Sequence, residues 1–230
     1  MEEDRMENKK TPQAAGTDQM KPVLQAKPDT CDSTFLQADG LSESLQKPGL
    51  LLHSCCGPCS TAVIERLAEE FEITVFFYNP CITDEEEYVL RRENQRKFLK
   101  AFNEGRMGRG RIRMIEGPYR PGAFFQIAEG LEEEPEGGRR CLRCFAQRLE
   151  KTAETAQMTG KDYFGTTLTV SPHKNYRKIS EIGQNIALRY GLTFLDRDFK
   201  KKDGFRRSIE LSKKYGLYRQ DYCGCEFSRR

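Results

Sequence analysis

The strongest constraint on the fold is a short apolar run that stops abruptly in a cysteine-rich loop. Leu50, Leu51 and Leu52 lead into His53-Ser54-Cys55-Cys56-Gly57-Pro58-Cys59, and a helix-like segment follows from Ser60 to Glu70. A buried run of this length, ended by Gly-Pro and followed by a helical pattern, reads as strand, tight loop, helix. The same unit recurs. Ile73 to Tyr78 is β-branched and aromatic without a helical period and ends at Asn79-Pro80, as a buried strand does. Thr83 with Glu86 has the spacing of a capping box for a long charged helix reaching Asn103 and closed by Gly105.

Further strands are expected at Ile112 to Ile115, Tyr163 to Val170 and Leu192 to Leu195. Helices are expected at Tyr119 to Gly130, from Cys141 to Met158, and from Asn175 to Tyr190 with Ile179, Ile182, Ile186 and Ala187 at helical spacing. Strands alternating with helices predict an α/β fold, a parallel sheet with helices on both faces. In such sheets ligands gather beyond the carboxyl ends of the strands, beside the loop after the first one. Cys55, Cys56 and Cys59 lie in that loop. Neither G-x-G-x-x-G nor a P-loop is present, so the usual nucleotide fingerprints are excluded.

The chain divides at about residue 48. Residues 1–48 are rich in Gln, Lys, Glu, Asp, Pro and Thr, without apolar period, and are expected to be a disordered N-terminal tail. Residues 49–230 are expected to form one domain. The tail has no apolar secretory core, and its early acids Glu2, Glu3, Asp4 and Glu7 do not suit a transit peptide. No run approaches membrane-spanning length, so a cytoplasmic protein without membrane contact is expected. Residues 1–49 carry six basic and nine acidic residues, which leaves 32 basic against 26 acidic in the remainder. The excess is clustered at Arg106 to Arg113, Arg139-Arg140, Lys200 to Arg207 and Arg229-Arg230, a distribution that suits a polyanion or a solvated surface.

Nine cysteines in a chain without a secretory signal point to metal or redox chemistry rather than a disulfide scaffold. Cys141 and Cys144 have two residues between them at the start of a helix, where free amides favour thiolates. With Cys55 and Cys56 they supply four thiolates, enough for a 4Fe–4S cluster or a structural zinc. Adjacent cysteines are poor zinc-knuckle geometry, so the spacing favours iron and sulfur. Cys223-Gly224-Cys225 suits either a dithiol–disulfide pair or extra ligands. Cys31 and Cys81 have no partner at motif spacing and read as uninvolved thiols. His53 and His173, the only histidines, suit either proton transfer or a structural role. Asp196 and Asp198, after the last strand, suit a helix cap, a second metal or a proton donor.

Leu51-Leu52-His53-Ser54-Cys55-Cys56-Gly57-Pro58-Cys59-Ser60 resembles the signature of the QueH-type epoxyqueuosine reductases. Four stretches agree with it: Phe77-Tyr78-Asn79-Pro80 with Glu87, Tyr88 and Arg91; Arg140-Cys141 through Cys144 with Arg148-Leu149-Glu150; Thr166 to Pro172; and Tyr218 to Cys225. The resemblance implies a fold like that of the adenine-nucleotide hydrolase and PP-loop (HUP) superfamily. It implies reduction of epoxyqueuosine to queuosine at the tRNA wobble position, without cobalamin. Carried over by residue, Cys55, Cys56, Cys141 and Cys144 match the 4Fe–4S ligands and Cys223 with Cys225 the redox-active pair. Cys59, with Asp198, is a candidate holder of an additional iron. A ferredoxin-like or flavodoxin-like electron donor is implied as partner, beside the anticodon arm of the tRNA. Cys81-Ile82-Thr83 and Lys200 depart from the family pattern. The rival readings are a PP-loop-like iron–sulfur tRNA thiolase, whose pyrophosphate loop is missing here, and a zinc-stabilised RNA-binding module.

Overall fold

The computed structural model describes residues 47–106 and 110–229. Almost all of the expected N-terminal tail, Cys31 included, lies outside the described residues. Five strands form one sheet: β1 (Gly49–Ser54), β2 (Glu72–Phe77), β3 (Arg113–Glu116), β4 (Tyr163–Thr166) and β5 (Thr193–Phe194). All neighbours pair in parallel, in the order β3-β2-β1-β4-β5. The chain runs outward from β1 to β3 and then returns to the other side of β1. The switch point therefore falls between β1 and β4, and a crevice is expected beyond their carboxyl ends.

The alternation of side chains along β1 explains the two layers of helices. Leu50 and Leu52 pack with Val63, Ile64 and Leu67 of α1 (Gly57–Leu67) and Phe98 and Leu99 of α2 (Glu85–Glu104). Leu51 faces the other way, onto Leu149 and Ala153 of α4 (Arg139–Met158) and Ile179 and Ile186 of α5 (Tyr176–Tyr190). The short α3 (Pro121–Ala128) leans on α4, and α6 (Gly204–Lys214) leans on α1. Both faces of the sheet are covered, as the apolar character of β1 and β2 requires. No helix among the described residues is long and apolar enough to cross a membrane.

Some expected boundaries move. The cap of α2 is Asp84, one residue beyond the expected Thr83, and its side chain accepts from the Glu87 amide at 3.1 Å. Three glutamates then occupy the first turn, where the helix dipole favours them. The fourth strand ends at Thr166 rather than Val170: the Thr166 hydroxyl accepts from the Leu168 amide and turns Thr167–Val170 into a 3-10 helix. α6 was not expected. Its start is irregular, with Lys202 and Asp203 left-handed and held by Arg66, which donates to the Lys201 and Lys202 carbonyls.

Candidate metal and redox centre

The β1–α1 loop carries the first thiols. Cys56 caps α1, and Cys59 sits in its first turn. Gly57 lets this corner approach α2, since a Cβ there would stand 2.7 Å from the Asn94 carbonyl oxygen. Behind the loop, the Ser54 and Ser60 hydroxyls both reach Gln95 Oε1 at 2.7 Å, and Asn79 donates to the Ser54 carbonyl at 2.9 Å. His53 straps the strand ends together. Its Nε2 donates to the Tyr78 carbonyl at 3.1 Å, which leaves Nδ1 to accept from the Thr166 hydroxyl at 3.0 Å. Burial, reinforced by the Arg148 charge, lowers its pKa to about 4, so the imidazole is neutral. His53 is thus a structural strap.

These contacts bring the sulfurs of Cys55, Cys56 and Cys59 within 4.8 Å of one another, a group able to hold a metal ion. The Gln220 amide donates to Cys56 Sγ at 2.9 Å. The three thiols share negative charge unequally. Hydrogen bonds from Cys56 and Cys59 hold Cys55 well below the usual thiol range, while burial pushes Cys56 up to about 12.

A second group assembles from distant segments. Cys144 lies on α4, Cys81 follows β2, and Cys225 ends a C-terminal strap; all three are buried in one apolar cluster with Phe77 and Phe124. Arg91 fastens the strap, donating to the Cys223 carbonyl at 3.0 Å and the Tyr222 carbonyl at 3.2 Å while paired with Glu87. Asn94 accepts from the Tyr218 amide at 2.9 Å. Gly224 is needed here: φ is +112°, and a Cβ would stand 2.9 Å from Ile82. Cys141, Cys144, Cys223, Cys225 and Cys81 line one small cavity. The nearby Cys144 thiol, with the Arg148 charge, lowers Cys81 to about 6. All eight cysteines among the described residues are free thiols.

The structure brings Cys81, expected to be idle, beside Cys144 and Cys225 in the second group. Asp198 instead engages Lys200 and lies outside the Cys55, Cys56 and Cys59 group. Asp196 accepts from Tyr176, Ser180 and Gln184, each at 2.8 Å, which fixes it to α5. Expected basic clusters are in large part neutralised: Arg207 pairs with Glu65 and Glu210, Arg139 with Glu134, and Arg229 with Asp84.

Sequence reasoning also missed the cations that matter most. Arg148 is 1% exposed, its Nε donates to the Cys144 carbonyl, and its Nη2 is buried without a hydrogen-bond partner. No carboxylate among the described residues pairs with it. Burial opposes its charge, but the sulfur groups of Cys144, Cys81 and Cys223 outweigh that and the net direction of its pKa is upward. Its spacing of four from Cys144 was the available signal. Lys174 is half-buried, and the sulfur groups of Cys223, Cys55 and Cys59 likewise outweigh its desolvation. Over the two groups opens a cavity of about 310 Å³, lined by Cys55, Cys59 and Cys223 with His173, Lys174, Arg219 and Tyr222. A larger groove of about 1010 Å³ lies at the amino ends of β2 and β3 and contains no cysteine.

The family model for "Epoxyqueuosine reductase QueH" matches residues 50–230. The chain belongs to the QueH family of epoxyqueuosine reductases. It is 44% identical over 185 residues to the epoxyqueuosine reductase QueH of Staphylococcus epidermidis, covering 80% of this chain and 77% of the relative. The QueH of Streptococcus pyogenes is 42% identical, covering 80% and 71%, and that of Thermotoga maritima 36%, covering 78% and 89%. The match begins at Leu50, so the QueH homology coincides with the folded α/β unit and its cysteine-lined edge. The chain is an oxidoreductase.

Proposed function

We propose that this chain reduces epoxyqueuosine to queuosine in tRNA at a 4Fe–4S centre held by Cys55, Cys56, Cys141 and Cys144. The observation that supports it most is the buried Arg148 guanidinium, set among thiols without a carboxylate partner. A buried cation needs a compensating negative charge, and neutral thiols supply none. Thiolates bound to a cluster do, and a tetrathiolate cluster keeps net negative charge in the dry interior. The donor set fits the group: sulfur ligands suit iron–sulfur, and the Cys55, Cys56 and Cys59 group is all sulfur. An additional iron held by Cys59 with Asp198 belongs to the same reading, as does the fold's likeness to the HUP superfamily.

The reaction takes two electrons and two protons, breaks both C–O bonds of the epoxide, leaves a cyclopentene double bond and releases water. When bound, the cluster supplies single electrons at low potential. The chain's own residues do the rest. Arg148 and Lys174 hold negative charge at the floor of the cavity, and the cavity mouth with His173, Arg219 and Tyr222 receives the modified nucleoside. Cys223 and Cys225 close to a disulfide as they deliver two electrons, releasing two protons. A ferredoxin-like or flavodoxin-like donor restores them, no cobalamin takes part, and a cytoplasmic location accompanies a tRNA substrate.

The test is anaerobic reconstitution with iron and sulfide, then incubation with epoxyqueuosine-bearing tRNA and a strong reductant, and mass analysis of the nucleosides. Queuosine is the expected product. A colourless protein that retains only zinc, or a cluster-loaded protein that converts nothing, overturns the proposal.

A further inference from the structure

We propose that Phe205, with the Arg219 guanidinium beside it, is a stacking platform for an RNA base next to the modified nucleotide, at the mouth of the thiol-lined cavity. The inference rests on the function proposed above and adds how the RNA is gripped there.

Few large apolar side chains among the described residues are exposed, and Phe205, at 36%, is the one of them that lines the cavity over Cys55, Cys59 and Cys223. Core packing does not account for it. The buried face of α6 is made by Gly204, Ser208, Leu211 and Ser212, and Phe205 lies outside it. A single exposed ring needs no explanation on its own. Two further observations give this one a role.

The first is the backbone that places it. Lys202 and Asp203, just before α6, are both left-handed, with φ of 53° and 58°, which is uncommon outside glycine. Arg66 holds them there, donating to the Lys201 carbonyl at 2.9 Å and the Lys202 carbonyl at 2.6 Å. Gly204 follows, where a Cβ would stand 1.8 Å from the Phe199 carbonyl oxygen. Three successive residues thus fix where the backbone presents Phe205, and backbone strain of this kind collects at functional sites. The second observation is Arg219. Its guanidinium carbon lies 5.7 Å from the Phe205 ring centroid, a cation–π contact. Nη1 donates to the Ser208 carbonyl at 3.2 Å and the Ser212 hydroxyl at 2.9 Å, both on α6, and no carboxylate among the described residues pairs with it. The next residue, Gln220, donates to Cys56 Sγ, so the ring and the cation are tied both to α6 and to the first thiol group.

The chemistry of this mouth is that of single-stranded RNA recognition. The cavity volume of about 310 Å³ is at the lower end of the roughly 300–1,000 Å³ that small-molecule ligands occupy. A single nucleoside fills it, so the flanking bases stay outside, at the rim where Phe205 stands. Drawing a modified base out of its loop unstacks it from its neighbours. An aromatic face beside a cation replaces that lost stacking, the device by which single-strand binders hold bases without reading their sequence. The lining carries Arg91, Arg148, Lys174 and Arg219 against Glu136 and Asp221. Its field therefore favours a polyanion at the same mouth.

The experiment measures binding of epoxyqueuosine-bearing tRNA to the full-length, anaerobically reconstituted protein by filter binding at several salt concentrations. Phe205→Leu keeps the apolar bulk and loses the aromatic face; it should bind about 5- to 150-fold more weakly, the loss expected for one stacked base. The factor should be the same at low and high salt, because no charge is lost. Arg219→Met should also bind more weakly, and should reduce the salt slope by about one. Phe205→Trp should bind as tightly as wild type. The chain contains no tryptophan of its own, so the fluorescence of that variant reports on position 205 alone and should fall as tRNA is added. A leucine variant that binds like wild type, a tryptophan variant as weak as the leucine one, or tryptophan fluorescence indifferent to bound tRNA overturns the platform while leaving the proposed function standing. Wild type that binds no tRNA overturns the proposed function and the platform with it.

Discussion

The two thiol groups at the carboxyl edge of the sheet are built by opposite strategies. Cys55, Cys56 and Cys59 come from five consecutive residues, and a polar network of Ser54, Ser60 and Gln95 behind the loop holds them. Cys81, Cys144 and Cys225 come from three separate segments packed in an apolar cluster, with the buried guanidinium groups of Arg140 and Arg148 lining the same cavity. The first group depends on hydrogen bonds made within one corner of the sheet. The second depends on the whole fold being closed. Local assembly makes a site robust, whereas long-range assembly couples a site to folding and strap docking.

The largest effect that separates them is at Arg148. Arg148→Met in the metal-loaded protein should cost about 3–5 kcal/mol, because it removes the cation from a buried cluster of negative sulfur. Urea unfolding with parallel iron analysis checks this; unchanged stability and iron content would break the assignment of charge to the second group. The first group has a pH dependence of its own. His53 has a folded pKa of about 4 and an unfolded value near 6.5, so below pH 6.5 the unfolded chain binds more protons. Stability from the neutral strap is complete above pH 6.5 and falls as pH drops toward 4, by roughly 3 kcal/mol in total. Urea midpoints of iron-free protein at a series of pH values give the slope, and a flat profile contradicts the strap.

A smaller loss is expected from Gln95→Leu, which leaves the Ser54 and Ser60 hydroxyls without their shared acceptor, at about 1–3 kcal/mol. Thiol-reactivity mapping should show Cys59 more reactive and Cys144 unchanged. Equal change at both would mean the groups are not independently supported. The smallest effect is at Gln220, whose amide reaches Cys56 from the strap. Gln220→Leu should cost about 1 kcal/mol and shift the thermal midpoint by a few degrees only.

The contrast also explains what could be read from the chain before its structure. β1, β2, α1, α2, α4 and α5 announced themselves by period and punctuation, and the loop triad was visible because its members are neighbours. Cys141 and Cys144 were visible for the same reason. Cys81 reads as uninvolved because the cysteines it is buried with, Cys144 and Cys225, lie at least 63 positions away, and no spacing rule spans that distance. Arg148 stands in a stretch that agrees with the family signature, but its sequence position assigns it no role; the closure of α4 on the sheet buries it. The capping of α2 slipped by one residue because Thr83 and Asp84 compete for the same role, and the carboxylate took it. Basic runs suggested free positive surface, yet acids distant in sequence neutralise several of them, as Glu65 does Arg207.

The central claim is that the two groups, however differently built, hold one centre. The direct measurement is the visible absorption and iron content of anaerobically reconstituted Cys55→Ser and Cys144→Ser beside wild type. One shared centre predicts that each substitution alone abolishes the iron–sulfur absorption. Retention of part of the iron and its absorption by each variant, as from two separate sites, would contradict the account.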